Sequence, residues 1–196
     1  VYALHILTAQ AAARIQPQFA QVESAPLLLA SMLSAGYADR AAAWWPVLDK
    51  AQDRIRLSGW AYAVLADRKD QVPATPGLFR DWWKLEKARH GEDRARRRAQ
   101  ILFAALVGLG KTDGLGWNSI ARDVEFRTLD NSWTRRLAIA TRDRLMGEAI
   151  LVSMAGLQGR WPAVPASHIA AIIYAWRMAG LSTEARLFAA EALTRG

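Results

Sequence analysis

No stretch of this sequence alternates apolar and polar residues over strand length, and Gly and Pro cut it at short intervals into windows with helical spacing. A half-buried strand needs a period of two, whereas a packed helix needs apolar residues three and four apart. The chain satisfies only the second pattern. Composition agrees: Ala occurs 38 times, Arg 21 times, and Val, Ile and Thr are sparse. Ala, Leu and Arg are strong helix formers. The chain is therefore expected to be all-α.

The windows follow from the breakers. Tyr2 to Ile15 predicts a helix stopped by Pro17, and Leu27 to Ala35 a second one closed by Gly36. Arg40 to Arg54 predicts a helix capped by Asp39 and kinked at Pro46. Leu57 to Asp67 follows. Thr75 and Pro76 form a cap and first-turn pair for a helix over 77–90, ended by Gly91. Asp93 is placed to cap 94–109, which Gly108 and Gly110 end. Trp117 to Val124 is short. Asn131-Ser132 opens a helical stretch, Trp133 to Gly156, continuous or divided near Arg144–Gly147. Gln158 to Pro165, with Gly159, Pro162 and Pro165, is a loop. Ala166 to Ala179 and Thr183 to Arg195 form a last hairpin around Gly180, with Ser182 as cap. About ten short antiparallel helices with brief connections exclude a simple four-helix bundle and suggest stacked hairpins.

The chain also hints at a repeat. Trp44-Trp45 recurs as Trp82-Trp83, 38 residues on, and breakers fall at Gly36, Pro73 and Gly110, 37 apart. Leu33-Ser34-Ala35-Gly36-Tyr37 and Arg177-Met178-Ala179-Gly180-Leu181 look alike as helix–Gly–helix joints. A period near 37 is the length of one helical hairpin. On these residues the chain resembles an α-solenoid of the tetratricopeptide or Sel1 kind, at superfamily level and without the tetratricopeptide consensus. The resemblance implies a single domain over residues 1–196, a curved α–α superhelix with a concave binding surface. Because the sequence opens on Val1 and not Met, it is expected to belong to a longer chain.

Several chemistries find no residues to carry them. There is no Cys, hence no disulfide, thiolate site or Cys nucleophile. Gly110-Lys111-Thr112 approaches a phosphate-binding loop, but Ala105 stands where the first Gly belongs, an apolar helix precedes it, and Asp113-Gly114-Leu115-Gly116 follows where a helix should start. It is read as a helix stop. His5, His90 and His168 are isolated and read as structural. No catalytic, cofactor-binding or metal-binding residues are assigned, and the chain is not expected to be an enzyme. The longest apolar runs, Ile101–Leu109 and Ile169–Trp176, are too short to span a bilayer. A soluble protein is expected, cytoplasmic, or periplasmic if it is part of a longer secreted chain.

What remains is a surface. The formal net charge is +8, and Arg80–Arg98 concentrates eight basic against four acidic residues. Arg80, Lys84, Lys87, Arg94, Arg96, Arg97 and Arg98 are candidate contacts for an acidic protein or a phosphate. Adjacent Trp residues on a helix point about 100° apart, so one ring of each pair is free to face a groove. Trp45 and Trp83 are the candidates, while at least one ring of each pair, Trp82 in the second, is expected to be buried. The Arg-over-Lys bias suggests a bacterial source. The expected function is a non-catalytic protein-interaction or scaffold module. The alternatives are a basic polyanion-binding or nucleic-acid-binding domain, and a helical accessory domain of a cell-wall enzyme.

Overall fold

The structure is a computed structural model that describes residues 2–158 and 161–196. Gly159, assigned above to a loop, lies outside the described residues. Among the described residues every regular element is helical. The chain divides into two compact units, Val1–Ala95 and Arg96–Gly196.

The first unit contains α1 (Tyr2–Arg14), a 3-10 segment (Phe19–Ser24), α2 (Ala25–Ser34), α3 (Ala38–Ala42), α4 (Trp45–Leu48), α5 (Asp53–Ala66), α6 (Pro76–His90) and the start of α7 (Glu92–Leu109). Helix α2 is its centre. It packs on α1, α3 and α5, and α5 packs on α4 and α6. The single helix expected over 40–54 is instead α3, α4 and the first turn of α5. Pro46 has no N–H to give to a longer helix, so a new helix starts around it, with Trp44 as its N-cap residue. Asp39 lies in the first turn of α3, and Tyr37 holds the cap position. The Thr75 cap forms as expected: its Oγ1 accepts from the Leu78 amide at 3.2 Å. Asp93 is not a cap but lies in the first turn of α7, where its charge meets the positive helix end.

The tryptophans build this core. Trp44, Trp60 and Trp82 are fully buried, and Trp60 Nε1 donates to the Pro73 carbonyl at 2.8 Å. Trp82 packs beside Phe79, ring centroids 5.8 Å apart. The buried stripe of α6 is Phe79, Trp82 and Glu86. The 38-residue offset of the Trp pairs relates the junction of α3 and α4 to the middle of α6. It therefore does not mark equivalent points of two hairpins.

The second unit holds the rest of α7, α8 (Trp117–Asp123), α9 (Ser132–Arg142), α10 (Met146–Gly156), a 3-10 turn (Trp161–Ala163), α11 (Ala166–Met178) and α12 (Ser182–Arg195). The stretch over 133–156 is thus two helices. Asn131 and Thr134 close a reciprocal capping box at the start of α9. Ser182 is the first residue of α12, and Leu181 takes the cap position without a side-chain bond.

Helices α7, α9 and α11 each end in the same way. A residue with positive φ follows the helix: Gly110 (70°), Arg144 (58°) and Gly180 (84°). The next amide then reaches back five residues, Lys111 to Leu106, Leu145 to Ala140 and Leu181 to Trp176, each at 2.9 Å. This left-handed stop satisfies the last free carbonyls and turns the chain into the partner helix. Gly36 does the same for α2, with Tyr37 N–H on the Met32 carbonyl at 2.9 Å. The likeness of the two helix–Gly–helix joints in the sequence is therefore a likeness of backbone. In this unit α9 packs on α10 and α11, and α11 on α12. Arg98 donates to the Leu193 carbonyl at 2.7 Å, so α12 is held by α7 as well.

Candidate functional site

The candidate residues divide by unit. In the first, Arg80, Lys84 and Arg94 are exposed. Lys87 pairs with Glu92 at 2.9 Å, and its Nζ lies 4.5 Å from the centre of the Trp83 ring. Trp83 is half-buried, and its Nε1 is buried without a hydrogen-bond partner among the described residues. Trp45 corrects the expectation of an exposed ring: it is 8% exposed and belongs to the core with Trp44. Both rings go inward because the chain bends between α3 and α4. The 100° rule for neighbours applies only within one continuous helix.

In the second unit, Arg96, Arg97 and Arg98 hold the unit together. Arg96 pairs with Glu125. Arg97 donates through Nη2 to the Trp161 and Val164 carbonyls at 3.2 and 2.6 Å, and burial lowers its pKa from the ordinary arginine value. Arg98 ties α7 to α12 as described. Carbonyl oxygens on a neighbouring loop and helix are natural acceptors for a half-buried guanidinium, whose stem covers apolar surface. These three side chains are thus engaged within the protein.

Gly110 and Lys111 belong to the left-handed stop of α7, with the Lys111 amide spent on Leu106. Lys111 itself is buried. Among the described residues no group of three or more His, Asp or Glu is placed to hold a metal ion. No helix among them is long and apolar enough to cross a membrane.

A concave feature lies in the second unit, between α9 and α11. A cavity of about 630 Å³ is lined by Thr134, Leu137, Ala138, Ile139, Thr141, Arg142, Arg144, Ala171, Tyr174 and Met178. A second of about 330 Å³ shares Thr134, Ala171 and Tyr174 with it and continues to Val107, Phe126 and Leu129. They form one groove. Ile139, Tyr174 and Met178 stand 50%, 47% and 53% exposed on its walls. Among the described residues Arg142 and Arg144 are the only charged side chains in the lining, and both belong to the larger cavity. Nothing in the sequence marked this groove, because its walls come from helices separated by the whole of α10.

A smaller cavity of about 360 Å³ lies between α1 and α2 in the first unit, lined by Leu4, His5, Thr8, Ala11, Ile15, Leu27 and Ser31 among others. Helix α1 is oddly oriented: His5, Ala9 and Ala12 face inward, while Leu7 is 80% exposed. Burial lowers the His5 pKa from its ordinary 6.5. The neutral ring is the one the fold accommodates, so its contribution to stability is complete above pH 6.5 and is lost as pH falls through the depressed folded value. Urea midpoints taken at neutral pH and at about pH 5 are expected to fall for the native chain and to fall less for His5→Gln. An equal loss in both would remove His5 from the acid sensitivity.

No protein-family model, curated protein or solved structure matches this chain.

Proposed function

We propose that this chain is a non-catalytic protein-interaction module built from helical hairpins, and that the groove between α9 and α11 receives a peptide segment of its partner. The hairpins are of α-solenoid scale. Their left-handed stops at Gly110, Arg144 and Gly180 are 34 and 36 residues apart, as in tetratricopeptide and Sel1 repeats, although the consensus is not met. One observation carries the binding assignment: Ile139, Tyr174 and Met178 remain about half exposed around a groove of about 630 Å³ whose base is Leu137 and Ala171. Clustered, exposed apolar side chains around a concavity are characteristic of binding surfaces, whereas scattered ones are not. Aromatic and Met side chains are also the groups enriched in interfaces.

The polyanion alternative is weakened by the same packing. Arg96, Arg97 and Arg98 are engaged within the second unit, and Lys87 is paired with Glu92. The test is selection of displayed random dodecamer peptides on the intact chain. Peptides rich in aliphatic and aromatic residues are expected to enrich. Ile139→Glu with Tyr174→Glu is expected to weaken them about thirtyfold or more, the cost of losing central contacts, with the helical circular dichroism unchanged. Enriched peptides that bind the double variant as well as the native chain would refute the proposal.

A further inference from the structure

We propose that the segment bound between α9 and α11 carries an acidic side chain beside its apolar residues, and that Arg144, with Arg142 beside it, is the group that receives it. The proposal rests on the peptide-groove reading above and adds the partner's chemistry.

The first ground is charge. Among the described residues Arg142 and Arg144 are the only charged side chains lining the two joined cavities, and no carboxylate among them lines either. An occupant with a cation there would be repelled, and a neutral one would leave the guanidiniums to water. Arg142 is already engaged with the carboxylate of Asp143, at 2.8 and 3.2 Å. Arg144 has no side-chain partner among the described residues, so it is the cation on offer.

The second ground is where Arg144 stands. The left-handed stops of α2, α7 and α11 use Gly36, Gly110 and Gly180, as expected where a Cβ is penalised. At the stop of α9 the same backbone conformation is imposed on an arginine with φ of 58°. One other stop keeps a side chain, Glu125 after α8, and that carboxylate pairs with Arg96 inside the fold. Arg144 has no such internal use. A strained position kept for a side chain that only lines a groove points to a ligand for that side chain.

Both arginines are exposed at the rim, so no enclosed pocket surrounds a chain-terminal carboxylate. A side-chain Asp or Glu of a segment passing through is the occupant that fits. The apolar remainder of the groove disfavours a phosphate backbone, whose charges would lose water there without replacement.

The selection described above decides this through the composition of its winners. Enriched peptides are expected to place an Asp or Glu near their apolar residues. Replacing that acid by its amide is expected to weaken binding about fivefold at physiological salt, in line with an exposed pair. Arg144→Gln should weaken the acidic peptide by the same factor and leave the amide peptide unchanged, the signature of a direct pair. Arg144→Gly should also lose the preference while raising the melting temperature by about 2–4 °C, because the strain is relieved. A merely structural arginine would not separate affinity from stability in this way. Winners without an acid, acidic and amide peptides of equal affinity, or an equal loss of both in Arg144→Gln would overturn the proposal while the groove stands. An absence of any enriched peptide, or peptides indifferent to Ile139→Glu with Tyr174→Glu, would overturn the groove and the proposal with it.

Discussion

Trp82→Ala is expected to destabilise the protein by about 3–5 kcal/mol, the cost of truncating a buried aromatic ring. Trp82 is 1% exposed, lies on the inner face of α6 against α5, and has Phe79 as its ring neighbour. Removing the indole leaves a cavity that rigid helices fill poorly. A domain of this size has about 5–15 kcal/mol of net stability, so the loss is a large fraction of the whole. The melting temperature of the first unit should fall by about 10 °C or more. Lys84→Ala, on the exposed face of the same helix, should move it by little, since surface changes stay within about 0.5 kcal/mol. Calorimetric scans of the two variants against the native chain make the comparison. A Trp82→Ala melt that overlays the native one would mean that the ring is not packed as described.

Gly108 and Gly147 are expected to respond to the same substitution with opposite signs. A Cβ on Gly108 would lie 2.7 Å from the Ala170 carbonyl oxygen and 2.7 Å from Ile173 Cβ. Neither contact is the end of a flexible side chain, so α7 and α11 must move apart. That movement also stretches the bond from Arg177 Nε to the Gly108 carbonyl, now 3.1 Å. Gly108→Ala should cost about 2–3 kcal/mol, as overpacking does. A Cβ on Gly147, near the start of α10, meets nothing within 4 Å. Gly147→Ala should stabilise by about 0.5–1 kcal/mol, through the reduced entropy of the unfolded chain and a better helix propensity. Denaturant midpoints of the two variants are the measurement. If Gly108→Ala is neutral, the close approach of α7 and α11 is wrong; if Gly147→Ala is destabilising, that helix end is not open.

The two glycines look alike in the sequence, and the comparison shows where local reading stops. The helical class, the stops at Gly36, Gly110 and Gly180, the Thr75–Pro76 start of α6 and the turn at Asn131 were all legible. Each depends on φ, on a missing N–H or on a side chain reaching an amide a few residues away. The division of 133–156 was only half legible, because its stop is Arg144 and no propensity rule places an arginine in the left-handed region. The split of the expected 40–54 helix was misjudged at Pro46, where a first-turn proline and a kink differ only in what the preceding residues do.

Side-chain use was the least legible. Arg96, Arg97 and Arg98 read as a cationic stripe, yet their acceptors, Glu125, the Trp161 and Val164 carbonyls and the Leu193 carbonyl, lie 29 to 95 residues further on. Trp45 read as a free ring and is core, because its direction is set by the bend between two short helices. The groove, too, exists only when α9 and α11 are side by side. Backbone conformation at a helix, a cap or a stop is decided by energies that act within about a turn of chain, and those were written in the sequence. Which face is covered, which cation finds a carbonyl and which apolar groups stay in water are decided by elements brought together across the chain, and only their packing in the tertiary structure settles them.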